Sequence, residues 1–189
     1  MSHPPDAKMP ISSLLKALAR GEGPARQEAV RALNLLGASA VPELIGAMKD
    51  DDWDVRNQAV TSLGDIGPEA RAGVPALIDA LQEEDKYFRS NAAIALGKIG
   101  RESRAAVPAL TRALKDKEED VRREAAASLG RMGPEARAAV ANLVELLKDK
   151  RKPVRKQAAR SLRDIDPETA AGHLTLGSAF RRWLGWHKS

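Results

Sequence analysis

Apolar residues recur along the chain in two alternating blocks, each at helical spacing. In the block that begins at Val74, the residues Val74, Leu77, Ile78 and Leu81 fall at i, i+3, i+4 and i+7, one stripe of an α-helix. In the block around Val55, the residues Val55, Ala59, Leu63 and Ile66 fall at i, i+4, i+8 and i+11 and make a second stripe. No stretch shows the alternation of two that a half-buried strand requires. The punctuation between blocks agrees with helices. Pro42, Pro75 and Pro108 stand in the opening turn of the first block, where a missing N–H costs no hydrogen bond. Gly67, Gly100 and Gly133 close the second block, where a left-handed C-cap favours glycine, and Pro68 and Pro134 prevent continuation. Acidic runs, Asp50-Asp51-Asp52 and Glu83-Glu84-Asp85, precede the second block and offer it a cap and a favourable dipole contact.

Both blocks repeat. The segments VPELIGAM, VPALIDAL, VPALTRAL and VANLVELL begin at Val41, Val74, Val107 and Val140, a step of 33 each time. The second-block anchors Val55, Phe88, Val121 and Val154 keep the same step. Upstream, ISSLLKAL from Ile11 and ARQEAVRALNLLG from Ala25 match at a step of 30, so five units start at Ile11, Val41, Val74, Val107 and Val140. A helical hairpin of this size cannot bury both faces alone, and stacked neighbours share a continuous core. The pattern therefore predicts an all-α solenoid of five two-helix repeats, roughly 40–50 Å long at an interhelical distance of about 10 Å.

The step of 33 is shared with ankyrin repeats, but no unit carries a TPLH-like turn, and none has the Trp, Tyr and Pro placement of the tetratricopeptide pattern. The units resemble the HEAT repeat in its short bacterial, phycobilisome-lyase-like form. The residues that carry the resemblance are V-P-x-L in the first helix and V-R-x-x-A-[AV]-x-[SA]-L-G-x-[IM]-G in the second, over about residues 11–172. The resemblance implies a right-handed α-solenoid whose second helices line a concave face. It implies a family made mostly of interaction scaffolds, with a minority of enzymes. It also implies which positions face outward there. In the second unit these are Trp53, Asp54, Asn57, Gln58, Thr61 and Asp65, and in the third Lys86, Tyr87, Ser90, Asn91, Ile94 and Lys98. The fourth unit contributes Arg123, Glu124 and Arg131, and the fifth Lys156, Gln157, Arg160 and Asp164.

The glycine of L-G is Gly64, Gly97 and Gly130 in the middle units but Asn34 in the first and Arg163 in the last, where the closing glycine is also replaced by Asp166. Glycine inside a helix costs about 1 kcal/mol against alanine, so its retention points to a close neighbour. Relaxation at both ends is what a capped, complete array requires. Residues 1–10 read as a disordered N-terminal tail. Residues 173–189 read as a C-terminal tail or capping helix, in which Leu176, Phe180, Trp183 and Leu184 make one stripe. Arg26, Arg56, Arg89, Arg122 and Arg155 repeat in step with the core. They are expected to pair with loop acids such as Asp51, Asp85 or Asp116 and tie units together, rather than to bind phosphates.

Composition narrows the chemistry. Cysteine is absent from the 189 residues, which removes disulfides and thiolate chemistry, and the three histidines (His3, His173, His187) lie near the termini. No HExxH, P-loop, dinucleotide or G-x-S-x-G motif occurs, so no catalysis, cofactor or metal is expected. A lyase-like activity, and a glycosylase-like one suggested by Trp53 beside Asp54, remain alternatives. There is no signal-peptide pattern and no apolar run of spanning length, and a cytoplasmic, bacterial, monomeric protein is expected. The formal net charge is +5, but residues 1–95 carry 10 bases against 14 acids and residues 96–189 carry 21 against 12.

The expected function is a non-catalytic scaffold that binds a partner protein or peptide, with acidic groups, through the concave face. Trp53, Asn57, Tyr87 and Asn91 are the expected anchors, with Thr61 and Ile94 beside them, and Arg123, Arg131, Lys156 and Arg160 would select acids. The alternatives are nucleic-acid binding by the basic C-terminal half, which lacks repeated stacking aromatics, and a bilin lyase-like or chaperone subunit. The tail could also touch a membrane surface weakly.

Overall fold

The computed structural model of the chain describes residues 10–20, 29, 32–33 and 36–174. Arg26, Asn34, the tail before Pro10 and the stripe from Leu176 onward lie outside the described residues. The first helix, α1, spans Ile11–Arg20. Ala29 and Leu33, one turn apart, are helical and buried, as the expected partner helix of α1 requires. From there short and long helices alternate. The short ones are α2 (Val41–Ala47), α4 (Val74–Ala80), α6 (Val107–Ala113) and α8 (Val140–Leu146). The long ones, each of 14 residues, are α3 (Trp53–Ile66), α5 (Lys86–Ile99), α7 (Glu119–Met132) and α9 (Lys152–Ile165). The described residues contain no strand.

The long helices pack side by side in chain order as one layer, and the short helices form the other. Between the layers runs one aliphatic core, with Leu44, Leu63, Leu77, Leu96, Leu110, Leu129, Leu143 and Leu162 fully buried. Each long helix buries more than a single stripe. On α3 the buried set is Val55, Ala59, Val60, Ser62, Leu63 and Gly64, because the helix meets its own short partner α2, the next long helix α5 and, on the other side, α1.

Two local expectations change in the structure. The short helices do not begin at a free N-terminus. A 3-10 segment, Gly67–Gly73 before α4 and Gly100–Ala106 before α6, runs straight into them, with Gly73 already helical at φ −79, ψ −12. The Val74 amide still bonds back to the Arg71 carbonyl in the 3-10 manner, and Pro75 stands where the bonding changes step. The proline thus marks a joint between two helix types, where the missing N–H is again harmless.

The closing glycines are also not in the left-handed helical region. Gly67, Gly100 and Gly133 have φ of 78, 69 and 62 with ψ of −140, −133 and −137. That region is open to glycine and essentially closed to any residue with a Cβ.

The fourth equivalent position, Asp166, has an ordinary extended conformation at φ −147, ψ 86 and does something different. Its carboxylate accepts from the Thr169 amide at 3.1 Å and from the Thr169 hydroxyl at 3.0 Å, capping a further helix, α10 (Pro167–Leu174). Hydrogen bonds from Thr169 hold the Asp166 carboxyl below its ordinary range. The helix packs on α9 through the buried Ala170. Residues 166–172, DPETAAG, echo 67–73, GPEARAG, so α10 occupies the place that the connecting 3-10 segments hold after the other long helices. Among the described residues no helix is long and apolar enough to cross a membrane.

Candidate interaction surface

The repeated arginines are consumed by the architecture. Arg89 donates through its Nε and a terminal nitrogen to both carboxylate oxygens of Asp116, at 2.8 and 3.0 Å. Its other terminal nitrogen donates to the carbonyls of Glu83 and Glu84 at 2.8 and 2.7 Å. Arg122 repeats the arrangement with Asp149 at 2.7 and 3.1 Å and with the carbonyls of Asp116 and Lys117. Both guanidiniums lie in side chains only 7% exposed. The carboxylate comes from the next unit, 27 residues on, so each pair staples one unit to its successor. Of the acids expected to pair, Asp116 does so. Asp51 meets Arg56 only through its carbonyl, and the Asp85 carboxylate instead caps α5 by accepting from the Phe88 amide at 2.8 Å.

Burial pushes the Asp116 and Asp149 carboxyls up. The hydrogen bonds from Arg89 and Arg122, with those from the Glu118 and Arg151 amides, outweigh it and hold both carboxyls below the ordinary 3.8. Glu83 stands 33 residues before Asp116, and it makes no ion pair with Arg56, which bonds the Asp50 and Asp51 carbonyls.

The glycines inside the long helices answer to close contact. A Cβ on Gly64 would stand 2.8 Å from the Ala95 Cα, on Gly97 2.9 Å from the Ser128 Cα, and on Gly130 3.1 Å from the Ser161 Cα. Ser128 and Ser161 are themselves buried, and their hydroxyls donate across the junction to the carbonyls of Ala93 and Ala126 at 2.6 Å. Arg163, on the last long helix, is exposed.

The outward side of the long-helix layer carries the residues expected to bind. Trp53 and Tyr87 are 37% and 59% exposed and sit in the first turns of the adjacent helices α3 and α5. The Lys86 ammonium lies 5.2 Å from the centre of the Tyr87 ring, a cation–π contact. Asn57 and Asn91 are half-buried and meet each other: the Asn91 amide nitrogen donates to the Asn57 side-chain oxygen at 2.6 Å. Thr61 donates to the Asn57 carbonyl at 3.1 Å, and Ile94 is half-buried beside them in sequence register. Lys98 pairs with Asp65 at 2.6 Å across the same junction.

The cations divide into two groups. Arg123 is engaged on its own helix by Asp120 at 3.1 Å and Glu124 at 2.9 Å. Arg131, Lys156 and Arg160 are exposed and make no ion pair with a described residue. Lys152 joins this second group at the start of α9, one turn before Lys156, and was not among the residues expected to bind. Its signal is legible in retrospect: Lys152, Lys156 and Arg160 fall at i, i+4 and i+8.

Two clefts among the described residues lie away from this surface. One cleft of ≈ 730 Å³ opens between α1 and α2, lined by Ile11, Leu36, Glu43 and Asp50 among others. A smaller one of ≈ 180 Å³ lies by Leu114, Asn142 and Leu146. Among the described residues no three His, Asp or Glu side chains converge as a metal site.

Comparison with known proteins agrees with the architecture. No curated protein matches the chain. Among solved structures, an engineered protein is similar over 95% of this chain and 90% of its own, at 25% identity and a TM-score of 0.63. The complex of CpcE and CpcF of phycocyanin lyase from Nostoc sp. PCC7120 is similar over 80% of this chain and 96% of that one, at 24% identity and a TM-score of 0.68. Computationally designed armadillo repeat proteins for modular peptide recognition are similar over 93% and 97%, at 16% identity and a TM-score of 0.59. The sequence profile of HEAT repeats matches residues 11–74, 74–163 and 118–177, which takes in the stapling arginines, the close-packed glycines and both helix layers. The chain belongs to the HEAT-repeat family.

Proposed function

We propose that the chain is a non-catalytic scaffold that binds a partner protein or peptide on the outward, concave side of its long-helix layer. The observation that carries this reading is the exposure of Trp53 and Tyr87 at the starts of neighbouring helices. Of the three aromatic rings among the described residues the core takes in Phe88, whereas these two stand in solvent next to polar side chains. Aromatic rings of that kind make interface anchors, because they lose a large apolar area to the partner at little cost in side-chain entropy. The Asn57–Asn91 bridge holds a polar floor beside them, with Thr61 and Ile94 one turn further on. Arg131, Lys156 and Arg160 supply positive charge toward the C-terminal units, whereas Arg123, expected to do the same, is held by Asp120 and Glu124.

Two structural relatives are consistent with the reading by what they are: one comes from a two-protein complex and one was designed for peptide recognition. Their identities of 24% and 16% carry the fold and not the activity.

The test is a pull-down from nuclease-treated extract with the wild type and the Trp53→Ala, Tyr87→Ala double variant. Both side chains are exposed, so the variant should keep wild-type circular dichroism and unfolding midpoint. A protein captured by the wild type and lost by the folded variant is the expected result. Equal capture by both removes these residues from the interface.

A further inference from the structure

The electrostatics of α9 conflict with the helix that carries them. Elsewhere the long helices begin with acids: Asp52 and Asp85 cap α3 and α5, and Glu119 and Asp120 open α7. Helix α9 has no acidic residue in its first turn, an arginine at its N-cap and Lys152 as its first residue, where positive charge opposes the helix dipole. Lys152–Lys156 and Lys156–Arg160 are then like-charge pairs at i, i+4, each destabilising by a few tenths of a kcal/mol.

Most cations at other outward positions of this layer are relieved by carboxylates, as Lys98 is by Asp65, Arg123 by Asp120 and Glu124, and Lys86 by Glu118, and the exception, Arg131 near the end of α7, stands where positive charge suits the helix dipole. Lys152, Lys156 and Arg160 are exposed and have no such relief among the described residues. Arg151, the neighbouring cation, is taken by Glu119. A violation of local rules with no compensation inside the fold marks a surface selected for something outside it.

We infer that Lys152, Lys156 and Arg160 form a docking stripe for an acidic polypeptide segment. The inference rests on the reading of the long-helix layer as the binding face. The three cations reach from position 152 to position 160, about 12 Å of helix in steps of about 6 Å. An extended chain with Asp or Glu at every second residue presents carboxylates about 6.7 Å apart, which the flexible lysine and arginine stems match. A nucleic acid fits less well. Single-strand binders add aromatic side chains on which bases stack, and neither α7 nor α9 carries an aromatic residue. The stripe is also short, with Asp164 one turn beyond Arg160.

The experiment is fluorescence anisotropy with the full chain and a fluorescein-labelled peptide of alternating Glu and Ser, about 12 residues long, beside a thymidine oligonucleotide of similar length. The expected result is peptide binding that weakens as salt is raised, with an affinity loss of about tenfold or more in the Lys152→Gln, Lys156→Gln, Arg160→Gln variant. That variant should unfold at the same temperature as the wild type or higher, since the repulsion along α9 is gone. A control with Arg101, Arg104 and Arg112 changed to Gln, three exposed cations off the long-helix layer, should bind as the wild type does.

No peptide binding by the wild type overturns the inference. So does equal loss in the control variant, or tighter binding of the oligonucleotide than of the peptide. These outcomes leave the pull-down with Trp53 and Tyr87 untouched. Conversely, peptide binding that depends on α9, with capture indifferent to Trp53 and Tyr87, overturns the aromatic anchor alone.

Discussion

Two glycines inside helices of this protein have opposite reasons to be there. Gly46 lies in α2 with nothing within 4 Å of where a Cβ would stand, whereas the same atom on Gly97 would meet the Ser128 backbone at 2.9 Å. Gly46→Ala should therefore stabilise by about 0.4–1 kcal/mol, the ordinary gain in helix propensity and unfolded-state entropy. Gly97→Ala should destabilise by about 1–3 kcal/mol through forced separation of α5 and α7. Urea unfolding of the two variants checks both signs.

The buried pairs can be judged in the same way. Asp149→Asn leaves the Arg122 guanidinium buried without its counter-charge, and a loss of about 3–5 kcal/mol at neutral pH is expected. Because the folded Asp116 and Asp149 carboxyls are held below 3.8, their contribution is complete above that value and disappears as pH falls through the depressed range. Wild-type stability should then decline on acidification below about 3.8, and the gap between wild type and Asp149→Asn should close there. A gap that stays constant down the acid limb would assign the staple no electrostatic share.

Among elements, the loops before the long helices decide how firmly consecutive units are joined. The position that accepts the stapling arginine is Asp116 before α7 and Asp149 before α9, but Glu83 before α5. Glu83 carries one methylene more than aspartate, and the Arg56 guanidinium has only main-chain acceptors among the described residues. Glu83→Asp should restore the third staple and raise stability by about 1 kcal/mol, read as a higher midpoint in thermal unfolding. An unchanged or lower midpoint would mean that the loop backbone before α5, not the carboxylate length, prevents the pair. Helix α10 is a second lesson at this scale. The replacement of the closing glycine by Asp166 reads as a departure from the repeat, yet Asp-Pro-Glu is also a helix start, with a capping acid followed by proline at the first position.

Across the whole molecule the junctions are unequal. Those between the third and fourth units and between the fourth and fifth each have a buried Arg–Asp staple and a serine hydroxyl bonded across the interface. The junction between the second and third has Ala95 in place of that serine and no staple, and it is bridged by the more exposed Lys98–Asp65 and Asn91–Asn57 contacts. In a solenoid, stability is approximately a sum over units and nearest-neighbour interfaces. Amide hydrogen exchange should therefore show greater protection in α7 and α9 than in α3, and the difference should shrink in Glu83→Asp. Uniform protection along the array would show that the staples do not govern cooperativity. Trp53 and Tyr87 straddle this weaker junction, so a partner bound across both rings would strengthen a joint that the fold leaves looser than the two that follow it.

The repeat length, the two helical stripes in each unit and the family pattern are properties of one unit. Val74, Leu77 and Leu81 needed only the 3.6-residue period to be recognised as core. The outward positions of the long helices followed from the resemblance to the HEAT repeat, which says which side of the second helix faces away from the core.

What required the packed molecule was everything that passes between units. Arg89 has acids at Glu83, Glu84 and Asp85 in its own loop, and order along the chain favours them over Asp116, 27 residues away. Stacking reverses that preference by bringing the next loop against the guanidinium. The same stacking turns Gly97 from a weak spot into a contact and brings Asp65 to Lys98 and Glu118 to Lys86, while Lys152, Lys156 and Arg160 meet no carboxylate among the described residues. Sequence spacing encodes direction along one helix. The juxtaposition of helices determines which charges find partners beyond their own helix.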